Sequence, residues 1–229
     1  MNAIDTEKYK KWRAKCQKFF SDKYRNPDLD HTKKLIDGFY VTFQSFEGKT
    51  RDCNLYLSKN TLFNKNGKEI FVWYNLDSSA DFATLFMHSN GMHYLVFRID
   101  LYGYGVYELE SGKELYYIPS EAYPDNGEID ETFIWTDADY DPNSNLLAVC
   151  GCYWACPTST IIVDFSNPLT IQPHNSWFDV RNIINLGNEN YPHIDLVGWK
   201  NGILSLQIED QSNIVCLNAK ELQNKIRKS

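Results

Sequence analysis

Cys150, Cys152 and Cys156 bring three thiols within seven residues. Thiolates are soft ligands for zinc or copper, so these are metal-ligating candidates. Their spacing, C-x-C-x3-C, differs from the paired C-x2-C of zinc knuckles, and a fourth ligand would have to come from Cys53, Cys216 or a histidine. On a strand Cys150 and Cys152 would share a face about 6.6 Å apart. The competing expectation is that buried Cys serves as a small apolar residue in an aromatic core. Gly151 and Pro157 suggest a bulge or loop at this point.

Asp137, Asp139 and Asp141 begin like a calcium loop. The pattern then departs, with Pro142 where the loop needs Gly and Ala148 where it needs a bidentate Glu. Alternating carboxylates on one strand face are therefore expected. His88 and His93 flank Asn90-Gly91 and could approach each other across a hairpin. A Cys152–His193 nucleophile pair would need the fold to bring its members together. The sequence holds no HExxH, GxSxG, P-loop or GxGxxG motif. No cofactor is expected, and no residue is assigned a catalytic role. An aromatic surplus includes Tyr102, Tyr104, Tyr107, Tyr116, Tyr117, Tyr123, Trp135, Tyr153, Trp154 and Trp177. Rings between sheets would mean packing, and rings on loops would mean recognition. Asp137, Asp139, Tyr153 and Trp154 are the binding-surface candidates.

The elements that position these residues follow from periodicity. Tyr9, Trp12, Cys16, Phe19 and Phe20 recur at helical spacing, with Lys8, Lys11, Lys15 and Lys18 between them. This predicts an amphipathic helix over about residues 5–25, with Asp5 as N-cap and Asn26-Pro27 as its stop. Residues 1–36 form a basic helix and linker packed on the body, and 37–229 form the main domain. From Gly38 onward, short apolar runs alternate with turn signals at Asn66-Gly67, Asn90-Gly91, Ser111-Gly112 and Asn201-Gly202. The alternation predicts thirteen strands, from Phe39–Phe46 to Ile214–Leu217. No helices intervene to carry parallel crossovers, so the body is all-β and antiparallel. A short basic helix is expected from Ala219 to Arg227.

Three windows share one order: strand, tight turn, strand, loop, strand. They begin near Phe82, Phe133 and Ile194 and are read against a propeller-like period of about 45–50 residues. An earlier unit lies around Gly38 to Leu76. The run from Val106 to Leu115 resembles the third strand and following turn of a WD-repeat blade, and Asp141 to Val149 resembles the turn and second strand of one. The resemblance covers roughly residues 82–217. It departs from the family in lacking the Trp-Asp dipeptide, with Tyr107-Glu108 and Asp164-Phe165 in those places, and no Gly-His pair opens the repeats. It implies a propeller-like body of about four blades presenting loops, with a β-sandwich as the alternative. It implies no activity.

Charge bounds the partners. The 229 residues carry a formal net charge of -7. Residues 1–36 hold ten Lys/Arg against five Asp/Glu, and residues 108–141 hold eleven carboxylates against Lys113. An acidic chain is a poor general nucleic-acid binder. The acidic stretch would steer a basic protein partner. The basic segment would either dock on the body or reach an acidic partner. No run approaches the about 20 apolar residues of a membrane span, and the first 25 residues lack a secretory apolar core. The expected compartment is the cytoplasm, with reduced thiols. Lys-, Asn- and Tyr-rich usage points to an AT-rich bacterial genome. The expected function is a non-enzymatic protein-binding module or scaffold, immunity-protein-like by analogy. The alternative is a small-molecule or metal-binding enzyme with a cleft around Cys150–Cys156.

Overall fold

The computed structural model describes residues 2–51, 53–77, 81–123, 131–184, 192–209 and 214–226. Among the described residues fifteen strands form four antiparallel sheets, each a meander in chain order. The first contains β1 (His31–Lys34), β2 (Tyr40–Lys49), β3 (Asn54–Phe63) and β4 (Glu69–Asn75). The second contains β5 (Ala83–Met87), β6 (His93–Ile99), β7 (Gly103–Glu108) and β8 (Glu114–Tyr117). The third contains β9 (Ile134–Asp141), β10 (Leu146–Cys152), β11 (Ser159–Asp164) and β12 (Phe178–Asp179). The fourth has three strands, β13 (Ile194–Lys200), β14 (Ile203–Ile208) and β15 (Ile214–Asn218). Helices α1 (Glu7–Cys16) and α2 (Ala219–Ile226) flank the body. The architecture is all-β and propeller-like, and four separate sheets replace the sandwich alternative.

Each sheet buries its alternate side chains against the next. Val41, Phe43, Leu62 and Trp73 of the first sheet meet Leu95, Phe97 and Ile99 of the second. Tyr94, Val96, Tyr104 and Val106 meet Trp135, Tyr140, Val149 and Phe165 of the third. Leu146, Ala148 and Ile162 meet Leu204, Leu206 and Ile208 of the fourth, with Leu222 of α2. Among the described residues no apolar cluster joins the fourth sheet to the first. The sheets therefore pack in series.

The N-terminal segment departs from the single long helix read in the sequence. Thr6, rather than Asp5, is the N-cap of α1, its side chain accepting from the Tyr9 amide. The α-helix stops at Cys16 and continues as a tighter turn over Gln17–Phe19. That change of pitch lets Cys16 and Phe19 reach Phe46, Leu55 and Leu57 on the outer face of the first sheet. Strand β1 falls within residues 1–36, so the first sheet runs across the 36/37 boundary.

An antiparallel meander fixes which connections share an end of the molecule. The ends of β2, β6, β10 and β14 and the starts of β5, β9 and β13 fall at one end. The β3–β4 turn and the tight Asn90-Gly91 and Asn201-Gly202 turns fall at the other. Of the Asn-Gly pairs Asn66-Gly67, Asn90-Gly91 and Asn201-Gly202, the last alone has both residues at positive φ, 52° and 73°. That is the primed hairpin turn expected of Asn-Gly. At Asn66-Gly67 the chain takes a wider turn, closed between Asn64 and Lys68.

Candidate functional site

The thiol strip is pulled apart by its strand. Cys150 is buried on β10 opposite Asp137, Cys152 is half-buried at the strand end, and Cys156 is exposed beyond it. A bulge between Cys150 and Gly151 shifts the register. Gly151 is required there, because a Cβ would lie 1.9 Å from the Ile134 carbonyl oxygen. Burial pushes the thiols of Cys150 and Cys152 up, which disfavours the thiolate needed for metal binding or attack. Among the described residues no three His, Cys, Asp or Glu side chains stand together as a metal set.

The three carboxylates of β9 do three different things. Asp137 is exposed and pairs with Lys33 of β1 at 3.7 Å. Asp139 accepts from the Trp199 amide of β13 at 2.6 Å, tying the third sheet to the fourth. It fits because Gly198 leaves room, since a Cβ there would meet Asp139 Oδ2 at 2.8 Å. Asp141 is buried and closes its own turn, accepting from the Ser144 amide and hydroxyl. Part of the acidic stretch, residues 124–130, lies outside the described residues.

The histidines do not converge. His88 is buried, with Nε2 at 3.0 Å from the Phe165 carbonyl, and stacks on Tyr140. His93 pairs with Glu110 at 2.7 Å. His193 Nδ1 is engaged by the Thr158 amide at 3.0 Å.

The aromatic surplus divides by location. Tyr104 stacks on Trp135 at 4.6 Å between the second and third sheets, with Trp177 edge-on to both. Tyr102, Tyr107 and Tyr117 are buried, and Tyr116, Tyr123 and Trp177 are half-buried. Tyr153 and Trp154 differ, at 42% and 54% exposure. They sit on the β10–β11 connection, in a turn closed by the Cys156 amide on the Tyr153 carbonyl at 2.9 Å. Ala155 holds that turn in the left-handed region at φ 57°. Such a conformation costs a non-glycine residue about 1–2 kcal/mol. The Tyr153 ring keeps an edge contact with Phe133, so the loop is anchored while Trp154 projects.

A buried polar cluster escaped the sequence reading. Asp100, at φ 52° after β6, is 1% exposed. It accepts from the Tyr9 hydroxyl at 2.5 Å, the Leu76 amide at 2.7 Å and Arg13 at 3.2 Å. Burial and the neighbouring Asp100 raise the Tyr9 hydroxyl far above the ordinary tyrosine range. Arg13 also donates to the Tyr74 carbonyl at 2.6 Å, so this cluster clamps α1 onto the first two sheets. The only signal in the sequence was Arg13 one turn after Tyr9. A cleft of about 550 Å³ runs beside this clamp, lined by Ile4, Tyr9, Arg13, Val72, Ile99 and Tyr116 among others, and none of the six cysteines lines it.

No family model matches the sequence, and no curated protein matches it. Among solved structures the chain is similar to the one described as "Crystal structure of HIRA(644-1017)", at 12% identity and a TM-score of 0.38 over 86% of this chain. The chain spans 52% of that one, about half its length. A likeness this distant carries no weight for function. The propeller-like architecture rests on the strand order of the four sheets. Among the described residues no helix is long and apolar enough to cross a membrane.

Proposed function

We propose that the chain is a non-enzymatic protein-binding module that engages its partner at the end carrying the β10–β11 connection. The observation that carries this reading is the projection of Tyr153 and Trp154 from a strained, anchored turn, while the buried or half-buried rings serve packing. Large aromatic rings held rigid at a surface are the usual anchors of protein interfaces. Strain retained in a loop is a mark of a working surface. Asp137, exposed on the strand that pairs with β10, is paired with Lys33, and a basic partner would compete for that carboxylate. Cys150 is buried, and the other two carboxylates of the motif tie the sheets and close a turn. A bacterial, cytoplasmic scaffold of immunity-protein type fits this reading by analogy.

The test is capture from a bacterial cytosol at low and moderate salt by the wild-type chain and by the Tyr153→Ala/Trp154→Ala variant. A stoichiometric partner that the variant loses while its circular dichroism and Tm are unchanged supports the reading. No partner, or one held equally by both chains, overturns it and moves attention to small ligands.

A further inference from the structure

We infer a second recognition site, a cationic groove between α1 and the β2–β3 turn that takes an acidic peptide segment of a protein partner. Helical spacing puts Lys8, Lys11, Lys15 and Lys18 along one side of α1 and its following turn, and all four are exposed. The β2–β3 turn brings exposed Lys49 and Arg51 against the end of this row. Between them lies a groove of about 540 Å³ lined by Lys15, Lys18, Phe19, Lys49, Thr50 and Arg51. A second groove of about 390 Å³, lined by Lys8, Lys11, Trp12 and Tyr123, has Lys15 as a wall in common with it. Asp52, next to Arg51, lies outside the described residues.

Charge is what needs explaining. Several cations are matched within the chain: Lys10 with Glu7, Arg13 with Asp100, Arg25 with Asp30, Lys33 with Asp137, and Arg98 with Asp77. Lys11, Lys15, Lys18, Lys49 and Arg51 make no ion pair with a described carboxylate, although the chain as a whole is acidic. Like charges gathered in a concave site concentrate a potential that an anion relieves.

The form of the groove selects the class of anion. Single-stranded nucleic acid needs open ring faces for its bases. Here Lys15 lies over the Trp12 ring at 5.6 Å, Lys18 lies over Phe19 at 4.9 Å, and Phe19 is 3% exposed. An interfacial helix needs an outward apolar face. On α1 the apolar Tyr9 and Cys16 are turned into the body and buried. A row of ammonium groups suits carboxylates carried on a flexible chain. From Lys8 to Lys18 the row runs about 15 Å, the length of about five extended residues.

The experiment is a fluorescence-anisotropy titration of the full chain against a labelled Glu/Asp hexapeptide and its Gln/Asn analogue. Binding of the acidic peptide alone, weakened at least about tenfold between 50 and 300 mM salt, is expected. The Lys15→Glu/Lys18→Glu/Arg51→Glu variant, all at exposed positions, is expected to lose at least about tenfold. A Lys200→Glu/Lys220→Glu control, which changes net charge away from the groove, keeps most of the affinity. No binding by the wild type, or equal loss in the control, overturns the inference. So does tighter groove-dependent binding of oligouridine, of phosphatidylserine vesicles, or of a second copy through its acidic stretch. The groove shares no residue with the Tyr153–Trp154 turn, so its failure leaves the reading of that turn intact.

Discussion

The thiol strip of β10 and the lysine row of α1 make opposite use of similar sequence density. Three cysteines in seven residues end up buried, half-buried and exposed. Four lysines spread over eleven residues end up in one row. The difference is one of period. Along β10 the chain runs from the buried Cys150 to the half-buried strand end at Cys152, and the C-x3-C step runs off the strand into a turn. A helix brings residues three and four apart onto one side. Density of reactive residue types points to a site only when the local element has the period that gathers them.

The largest effect expected is at Gly151, where β10 faces the bulge at Thr136 of β9 and lies against Ile134. Gly151→Ala drives a Cβ into a backbone oxygen and into the Phe133 ring. It should cost about 4 kcal/mol or more in urea unfolding. A loss under about 1 kcal/mol would mean the strip tolerates another arrangement, and the thiols could then regroup. Next is the clamp that fixes the lysine row. Tyr9→Phe removes a hydrogen bond to the buried Asp100 carboxylate and should cost about 2 kcal/mol. The row would lose its footing if this clamp were weak.

A pH effect follows from the same region. Burial, with help from the nearby Asp100, pushes the Cys16 thiol up to about 11 from 9.0. The folded state therefore resists ionisation of that thiol. Its contribution is intact below pH 9.0 and is lost as pH rises through about 11. Tm should fall over that window, and by less in Cys16→Ala. A Tm that is level up to pH 11 in the wild type would contradict the burial argument.

Thiol labelling at neutral pH sharpens the contrast at lower energy. Cys53, Cys156 and Cys216 should react promptly, Cys152 slowly, and Cys16 and Cys150 only on unfolding. Equal rates at Cys150, Cys152 and Cys156, slowed together by zinc, would restore a gathered thiol site. The smallest effect is expected for Trp154→Ala, within about 0.5 kcal/mol in stability, since the ring projects into solvent.

Much of the fold was legible because two signals agreed. Ile203–Ile208 alternates half-buried and buried along β14, as its apolar spacing implies. Glycine and asparagine marked the turns between such runs. The strands that escaped had no alternation to read. His-Thr-Lys-Lys of β1 is polar throughout and is held by its ladder with Tyr40–Phe43. Phe178–Asp179 of β12 is two residues long, too short for any alternation to show. The helix was read too long because Phe19 and Phe20 continue the apolar spacing after the backbone has left α-helical geometry.

The candidate site was legible only in part. Tyr153 and Trp154 were named, but nothing local separates them from Tyr104 or Trp135, which differ only in which sheet lies above them. Asp137 and Asp139 looked equivalent until β13 placed an amide over one of them. The cationic groove depends on Lys49 and Arg51 meeting a helix more than thirty residues earlier, a contact that no spacing in the chain announces.

The most direct test of the account is site-specific photo-cross-linking in cells. A photoreactive phenylalanine analogue replaces Trp154, or Asn66 on the β3–β4 turn at the opposite end. The account predicts a single abundant protein adduct from position 154 and none from position 66. Adducts from both positions alike, or from position 66 alone, would contradict recognition through the end that carries Tyr153 and Trp154.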